Sequence, residues 1–317
     1  MATIKERNRS QNSYTAAEDI IGLKILFVNI FFVGTKEKWF LVDAGLPGFS
    51  GRLIKTAEAL FGIDNPPEFI FLTHGHFDHV GALELLLQKW DVPIYTHLLE
   101  LPYLSGKSAY PPPDPAIGGG AMSYMSWLFP NRPYDFKDKI IPVEESFTLP
   151  GFSEWEIIFT PGHSPGHSSL WRAKDSILIA GDAVITTDQN SAVAVLTQER
   201  EVHGPPAYFT CDWEKARISV DKIYDLHPSV IAGGHGRVME GVALIKGLRL
   251  LKENFEQLAI PSASGRYVQQ PAITNEEGIV SMPAPVSYYI ARTIGAVSLV
   301  SILVASFILL KRKRISS

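Results

Sequence analysis

The sequence predicts an α/β fold followed by a C-terminal transmembrane helix, and three observations predict it. Short β-branched and aromatic runs alternate with longer amphipathic stretches over most of the 317 residues. Four glycine-bearing loops that carry histidine or aspartate each follow one of the short runs. Near the end lies an uncharged apolar stretch of 18 residues. The composition, 46% apolar with a single cysteine, provides for a full-sized core and excludes a disulfide scaffold or a disordered chain.

Residues 1–19 are polar and charged and read as a segment outside the packed body. The first apolar run, 25–33, is short and follows Lys24, so no secretory signal is expected. Strands are predicted at 25–33, 39–42, 69–72, 93–96, 155–159, 168–171, 177–180 and 230–232. Helices are predicted at 52–61, 81–90, 213–226 and 242–259. In the third of these Trp213, Ala216, Val220 and Ile223 fall on one stripe behind an Asp212 cap. Residues 20–260 are thus expected to form one domain, with 261–289 as a linker.

Within that domain residues 98–139 stand apart, with seven prolines, four glycines and seven aromatic residues in 42 positions. Such a segment suits a lid over an apolar substrate, a surface excursion packed by its own rings, or a loop resting on a membrane. The apolar stretch from Thr293 to Leu310 would be about 27 Å long as a helix, close to the hydrocarbon thickness of a bilayer. With Tyr288 and Tyr289 before it and Lys311 to Arg314 after it, residues 290–310 read as a single membrane-spanning helix and 311–317 as a basic tail. The basic tail favours a body on the outer side and the missing signal favours the cytosol. The reading adopted is a single-pass membrane protein with a cytosolic catalytic domain, because charge bias does not decide the side for large domains.

The net charge is -4, and residues 290–317 hold five cations and no acid, which leaves -9 on residues 1–289. So acidic a body excludes a nucleic-acid partner.

The chemistry is concentrated in Thr73-His74-Gly75-His76-Phe77-Asp78-His79, four potential metal ligands in six residues after a predicted strand. One tetrahedral cation cannot readily use all four, whereas two neighbouring cations can share them. Further donors occur in similar settings: His163 in Pro161-Gly162-His163, Asp182 in Ala180-Gly181-Asp182, and His235 in Gly233-Gly234-His235. Each follows a predicted strand and is preceded by glycine.

These residues resemble the HxHxDH motif, third-motif histidine, bridging aspartate and final histidine of the metallo-β-lactamase-fold hydrolases, in particular the glyoxalase II and lactonase-like branches. Leu41-Val42-Asp43-Ala44-Gly45 is similar to the family's first motif, whose aspartate orients the metal loop. The resemblance runs from about residue 29 to residue 237. It implies a four-layer αβ/βα sandwich with the site at one edge. It also implies two divalent ions, one on His74, His76 and His163, the other on Asp78, His79 and His235, with Asp182 between them. Zinc suits this donor set, and iron or manganese are also compatible.

In such a pair the shared water is acidified from a pKa of about 15.7 toward roughly 7, so a bridging hydroxide would be the nucleophile. The leaving group would be met by metal or by a proton from the Asp78 region, which makes Asp78 the catalytic candidate. His167 could orient a ligand loop. His97, His203 and His227 read as ordinary histidines and Cys211 as core filler.

Departures from the branches narrow the choice. Asp182 is followed by Ala183-Val184-Ile185-Thr186-Thr187, without the Lys and Tyr of glyoxalase II enzymes, and Ile185 stands where lactonases tend to have Tyr. His235 argues against persulfide dioxygenases, which lack its counterpart. The expected function is a membrane-anchored dinuclear hydrolase of a small ester, thioester or lactone. The alternative is a membrane-tethered metal-binding redox or scaffold protein without hydrolysis, which chelator-sensitive turnover would exclude. Oligomeric state is not legible.

Overall fold

Every residue from Val28 to Val33 and from Trp39 to Val42 is buried, the pattern of strands covered on both faces rather than on one. These segments sit in a seven-stranded sheet whose members follow chain order: β1 (Ser13–Ala17), β2 (Ile20–Ile25), β3 (Val28–Gly34), β4 (Trp39–Val42), β5 (Ile70–Phe71), β6 (Ile94–His97) and β7 (Ile140–Val143). β1 to β4 pair antiparallel and β4 to β7 parallel. A five-stranded sheet holds β8 (Glu156–Phe159), β9 (Ser168–Arg172), β10 (Ile177–Gly181), β11 (Val230–Gly233) and β12 (Met239–Glu240), in the order β12-β11-β10-β9-β8. The computed structural model describes residues 13–263, 265–285, 293, 294 and 297.

Alternation along the strands builds the layers. Phe31, Val33, Phe40, Val42 and Phe71 point one way and meet Ile157, Leu170, Ile177 and Ile179 of the second sheet. Their neighbours Ile30, Phe32, Trp39, Leu41 and Ile70 point the other way. There they meet helix α1 (Ser50–Phe61) through Leu53, Ala57 and Phe61, and helix α2 (Leu83–Trp90) through Leu83, Leu86 and Trp90. On the far side Leu178, Ala180 and Ile231 meet helices α3 (Trp213–Asp225) and α4 (Gly241–Glu253). The result is helix, sheet, sheet, helix, the four-layer sandwich. Phe40 stacks on Phe69 at 4.8 Å and sets its edge against Phe152 at 4.7 Å, so truncating it to alanine should cost about 3–5 kcal/mol.

The structure departs from the sequence reading in several places. Residues 25–33 are not one strand: β2 ends at Ile25 and β3 begins at Val28, with Leu26 at φ 54 turning the chain. A turn of helix, Phe77–Val80, precedes α2. The 242–259 helix breaks at Asn254, where α4 ends and Phe255–Ala259 begins. Residues 13–17 form the edge strand β1, and the 261–289 stretch holds a helical turn, Arg266–Gln269, and a hairpin of Ile273–Asn275 with Gly278–Ser281. Residues 98–139 fold into short helical turns, with Tyr103 stacked on Tyr110 at 4.0 Å and Ser105 bridged to Asp135.

The expected C-terminal transmembrane helix, and with it the single-pass membrane localisation and the membrane partner, must be corrected. No helix among the described residues is long and apolar enough to cross a membrane. The longest, α3 and α4, have 13 residues each and reach about 20 Å, short of a hydrocarbon core of about 30 Å. Of the 290–310 segment only Thr293, Ile294 and Val297 are described; the rest of it, and the 311–317 tail, lie outside the described residues.

Candidate metal centre

Strand ends deliver the ligand-type side chains to one edge of the sandwich. β5 leads into His74 and His76, the turn Phe77–Val80 carries Asp78 and His79, and the connection from β8 to β9 carries His163. β10 and β11, parallel neighbours, lead into Asp182 and His235. All seven are buried, none more than 6% exposed.

Their ligand atoms converge. His76 Nδ1 lies 2.9 Å from His163 Nε2, His235 Nε2 lies 3.1 Å from Asp182 Oδ2, and His79 Nε2 lies 3.6 Å from Asp182 Oδ1. Asp78 Oδ2 is 3.6 Å from His235 Nε2. Three groups have ligand atoms all within 4.8 Å of one another: His74, His76 and His163; His74, His79 and Asp182; Asp78, His79 and His235. The structure thus brings together all seven residues singled out in the sequence.

A cation fits this donor set. His74 Nε2, His79 Nε2 and Asp182 Oδ1 are buried without a hydrogen-bond partner, an arrangement costly unless something positive completes it. Gly234 makes room: a Cβ there would stand 2.2 Å from Asp182 Oδ1 and 2.9 Å from His79 Cε1.

Titration preferences agree. Burial, and then the neighbouring imidazoles, hold His74 and His163 well below the usual histidine value and take His76 down to about 3, so these rings stay in the neutral, ligating form. Burial also opposes charge on His79, but Asp182, Asp43 and Asp78 outweigh it and raise its pKa. For Asp182 burial is outweighed by His235 and His79, which hold the carboxylate ionised.

Around this cluster a layer of hydrogen bonds fixes each ring. Asp43, at φ 63, accepts the Thr73 N–H at 2.9 Å and places Oδ2 2.8 Å from His79 Nδ1. His235 Nδ1 lies 2.7 Å from the carbonyl of Phe27, and Asn29 Nδ2 donates to the carbonyls of Gly233 and Gly236 on either side of His235. His167 accepts the Asp182 N–H at 2.9 Å through Nε2, and its Nδ1 lies 2.9 Å from Thr160 Oγ1 at the start of the His163 loop, so it ties the aspartate to that loop. Of the remaining histidines, His97 caps a helical turn and stacks on Phe159, His203 lies 3.8 Å from Asp188, and His227 turns the chain after α3. Cys211 is buried with its thiol pushed up to about 12, mainly by burial, which suits a packing role.

Two residues escaped the sequence reading. Glu100 is fully buried: Oε2 accepts from the Gly75 N–H at 3.0 Å and from Tyr110 Oη, while Oε1 accepts from Ser164 Oγ at 2.8 Å and the Gly166 N–H at 2.7 Å. One side chain therefore joins both histidine loops. Tyr110, from the proline-rich segment, also accepts the Gly75 N–H at 2.8 Å. An acid inside the apolar run 98–104 has no spacing that announces such a role. A cover of rings closes the cluster: Phe209 stacks on His76 at 4.4 Å and neighbours Phe77 and Phe129. Tyr208 lies close enough to Asp78 and Asp182 that, after burial, both raise its pKa.

Comparisons with known proteins agree with this geometry. The family model described as Metallo-beta-lactamase superfamily matches residues 23–235. The chain is 42% identical over 236 residues to the probable metallo-hydrolase YflN of Bacillus subtilis, covering 74% of this chain and 89% of that one. Among solved structures it resembles a beta-lactamase domain protein from Burkholderia ambifaria, with TM-score 0.52, 20% identity and 76% of each chain covered. It also resembles the chemotaxis sensor ODP, described with a peroxy diiron species, with TM-score 0.51, 16% identity, and 76% of this chain and 93% of that one covered. At these identities the two structures bear on the fold alone, and none of these relatives singles out the glyoxalase II or lactonase-like branch. With a family match across two thirds of its length and the histidine and aspartate cluster in place, the chain belongs to the metallo-beta-lactamase superfamily.

Proposed function

We propose that the protein is a dinuclear metal-dependent hydrolase of a small ester, thioester or lactone. The observation that carries this reading is the convergence of two ligand triads beside one shared aspartate, with buried nitrogen atoms left unpartnered. His74, His76 and His163 would hold one divalent ion, Asp78, His79 and His235 the other, and Asp182 would stand between them. Zinc fits the imidazole and carboxylate donors, and iron is compatible with the same set. Two such ions supply Lewis acidity and a water that deprotonates near neutral pH.

The chain's own residues do the rest. Asp43 holds His79 by its Nδ1, leaving Nε2 for the site. His167 fixes the backbone of Asp182. Glu100 keeps the two histidine loops in register with each other. Phe209, Phe77 and Phe129 exclude water from the cluster, which strengthens the electrostatic interactions inside it. Asp78, with Oδ2 3.6 Å from His235 Nε2 and Oδ1 4.0 Å from His79 Nε2, could take up the proton released when the nucleophilic water adds to the carbonyl and pass it to the departing thiolate or alkoxide.

The test is turnover by the metal-loaded full chain on a panel of lactones, thioesters and phosphodiesters, with and without chelator. Chelator-sensitive cleavage of an ester-type bond supports the reading. Two bound metals with no cleavage of any member would move the assignment to a metal-binding redox or scaffold protein.

A further inference from the structure

Before α3 the chain makes a tight turn at Pro206-Ala207-Tyr208-Phe209. The Phe209 N–H donates to the Pro206 carbonyl at 3.2 Å, and Thr210 Oγ1 donates to the same carbonyl at 2.9 Å. Three bonds from elsewhere fix the turn. The Asp114 N–H donates to the Tyr208 carbonyl at 2.7 Å, the Ala207 N–H donates to Asn190 Oδ1 at 3.2 Å, and the Asp212 N–H donates to the carbonyl of Gly162, beside His163, at 3.0 Å. A turn held by the proline-rich segment, by the loop after Asp182 and by the His163 loop presents its side chains in one arrangement.

Those side chains lie on the metal centre. Phe209 stacks on His76 at 4.4 Å. The Tyr208 ring packs against Phe209 at 5.2 Å and Phe129 at 5.5 Å, and Phe129 packs at 5.6 Å on Phe77, the residue before Asp78. Asp78, at 6%, is the most exposed of the seven ligand-type residues, so the little surface that the cluster shows lies on the side of these rings. There the Tyr208 hydroxyl stands within the influence of Asp78, Asp182 and Asp188. Each carboxylate acts on it through charge alone, and the side chain within hydrogen-bonding reach of it is Gln189.

The Gln189 amide is fully buried, yet neither its nitrogen nor its oxygen completes a hydrogen bond in good geometry. Leaving such a group unsatisfied costs about 1–3 kcal/mol, which a small turn of the Tyr208 hydroxyl would recover by letting Oη accept from Nε2. The O–H would then point away from the amide, with no acceptor of its own, beside Asp78 and Asp182.

We propose that Tyr208 is a catalytic residue whose hydroxyl donates a hydrogen bond to the carbonyl oxygen of the bond under attack, and that Gln189 is the positioning residue that orients this hydroxyl. This rests on the hydrolase reading. Addition of water to the carbonyl carbon forms a C–O bond and moves the C=O pair onto oxygen. The Tyr208 O–H keeps its own proton and stabilises that oxygen as its charge grows. Collapse restores the C=O bond and breaks the bond to the thiolate or alkoxide, which receives the proton shed by the attacking water.

The test is steady-state turnover of the lactones and thioesters by the metal-loaded full chain, in wild type, Tyr208→Phe, Gln189→Met and the double variant, with metal content measured for each. Tyr208→Phe keeps the ring contacts with Phe129 and Phe209. It should lower kcat about 100-fold while KM stays within about twofold, because the bond strengthens only as charge develops. Its metal content and Tm should match wild type. Gln189→Met should lower kcat about tenfold, and should cost nothing further in the Tyr208→Phe background, because it acts through the hydroxyl. With a thionoester, whose sulfur is a poor hydrogen-bond acceptor, the loss caused by Tyr208→Phe should shrink.

An unchanged kcat in Tyr208→Phe overturns the catalytic role, and so does a loss that only follows loss of metal or of Tm. Independent losses in the double variant overturn the role of Gln189. A wild type that cleaves none of the lactones or thioesters overturns the hydrolase reading and this role together, whereas an active wild type matched by Tyr208→Phe overturns the role alone.

Discussion

The carboxylate of Glu100 accepts the backbone N–H of Gly166 at 2.7 Å, and its other oxygen accepts that of Gly75 at 3.0 Å. Gly75 lies between His74 and His76, and Gly166 lies three residues beyond His163, so this acid sets the spacing of one ligand triad. Burial raises the Glu100 pKa, and the hydrogen bonds from Tyr110, Ser164 and the two amides oppose that rise. Glu100→Ala should lower metal affinity about 10–100-fold, the usual scale for loss of an orienting partner, with Glu100→Gln intermediate. Competition against a chelator measures it. A folded Glu100→Ala protein with wild-type affinity would show that the residue only packs.

Removing the shared aspartate should differ from removing a terminal ligand. Asp182 takes part in contacts with His79, His163 and His235, whereas His235 meets Asp78 and Asp182 alone among the charged partners. Asp182→Ala is expected to lose metal from both positions, and His235→Ala mainly from one. Metal content per chain after dialysis distinguishes them, and equal content in both variants and wild type would refute the ligand assignment.

Asn29 tests what holds the His235 loop in place. Asn29→Ala leaves two buried carbonyls, those of Gly233 and Gly236, without their donor, at a cost of about 1–3 kcal/mol. Urea unfolding should show a lower midpoint with an unchanged slope. A loss below about 0.5 kcal/mol would mean that water or backbone movement replaces the amide.

Acid stability has a separate origin. Arg172, buried and stacked on Trp155 at 4.6 Å, binds Asp19 through two nitrogens at 2.5 and 2.9 Å. Burial works to raise the Asp19 pKa, but the Arg172 hydrogen bonds and charge outweigh it and leave it below its ordinary value of 3.8. A depressed carboxylate pKa means that the unfolded chain binds the proton first. The pair therefore contributes fully above pH 3.8, and its contribution is lost as pH falls through the lower folded value. Because Arg172 keeps Asp175 as a partner, Asp19→Asn should cost no more than about 2 kcal/mol at neutral pH and flatten the acid limb of a stability-against-pH curve. The same acid limb in wild type and variant would contradict this.

Much of the cluster was legible because its histidines and aspartates are either contiguous, as in the His74 to His79 run, or marked by glycine after a strand. The Asp212 cap of α3 was legible because local chemistry dictates local geometry, and Asp43 through the resemblance of its Asp43-Ala44-Gly45 motif to the family's first motif. What was hidden depends on distant partners. Glu100 looks like any acid in an apolar turn until Gly166 and Ser164 are brought to it from more than sixty residues away. The β2 to β3 turn was hidden because Leu26 and Phe27, both apolar, occupy it, and Leu26 is 62% exposed. Asn254 gave no sign of ending α4 because apolar spacing continues through Phe255 and Leu258. The membrane expectation rested on hydropathy, the flanking Tyr288 and Tyr289 and the basic cluster Lys311 to Arg314, and no helix among the described residues bears it.

If two cations held by this cluster drive hydrolysis, then metal titrated into the metal-free full chain, with binding and thioester or lactone cleavage followed together, should raise activity until two equivalents are bound. That activity should vanish with chelator and should not develop in Asp182→Ala. Cleavage that persists without metal, or saturated binding at two equivalents with none of these bonds cleaved, would contradict it.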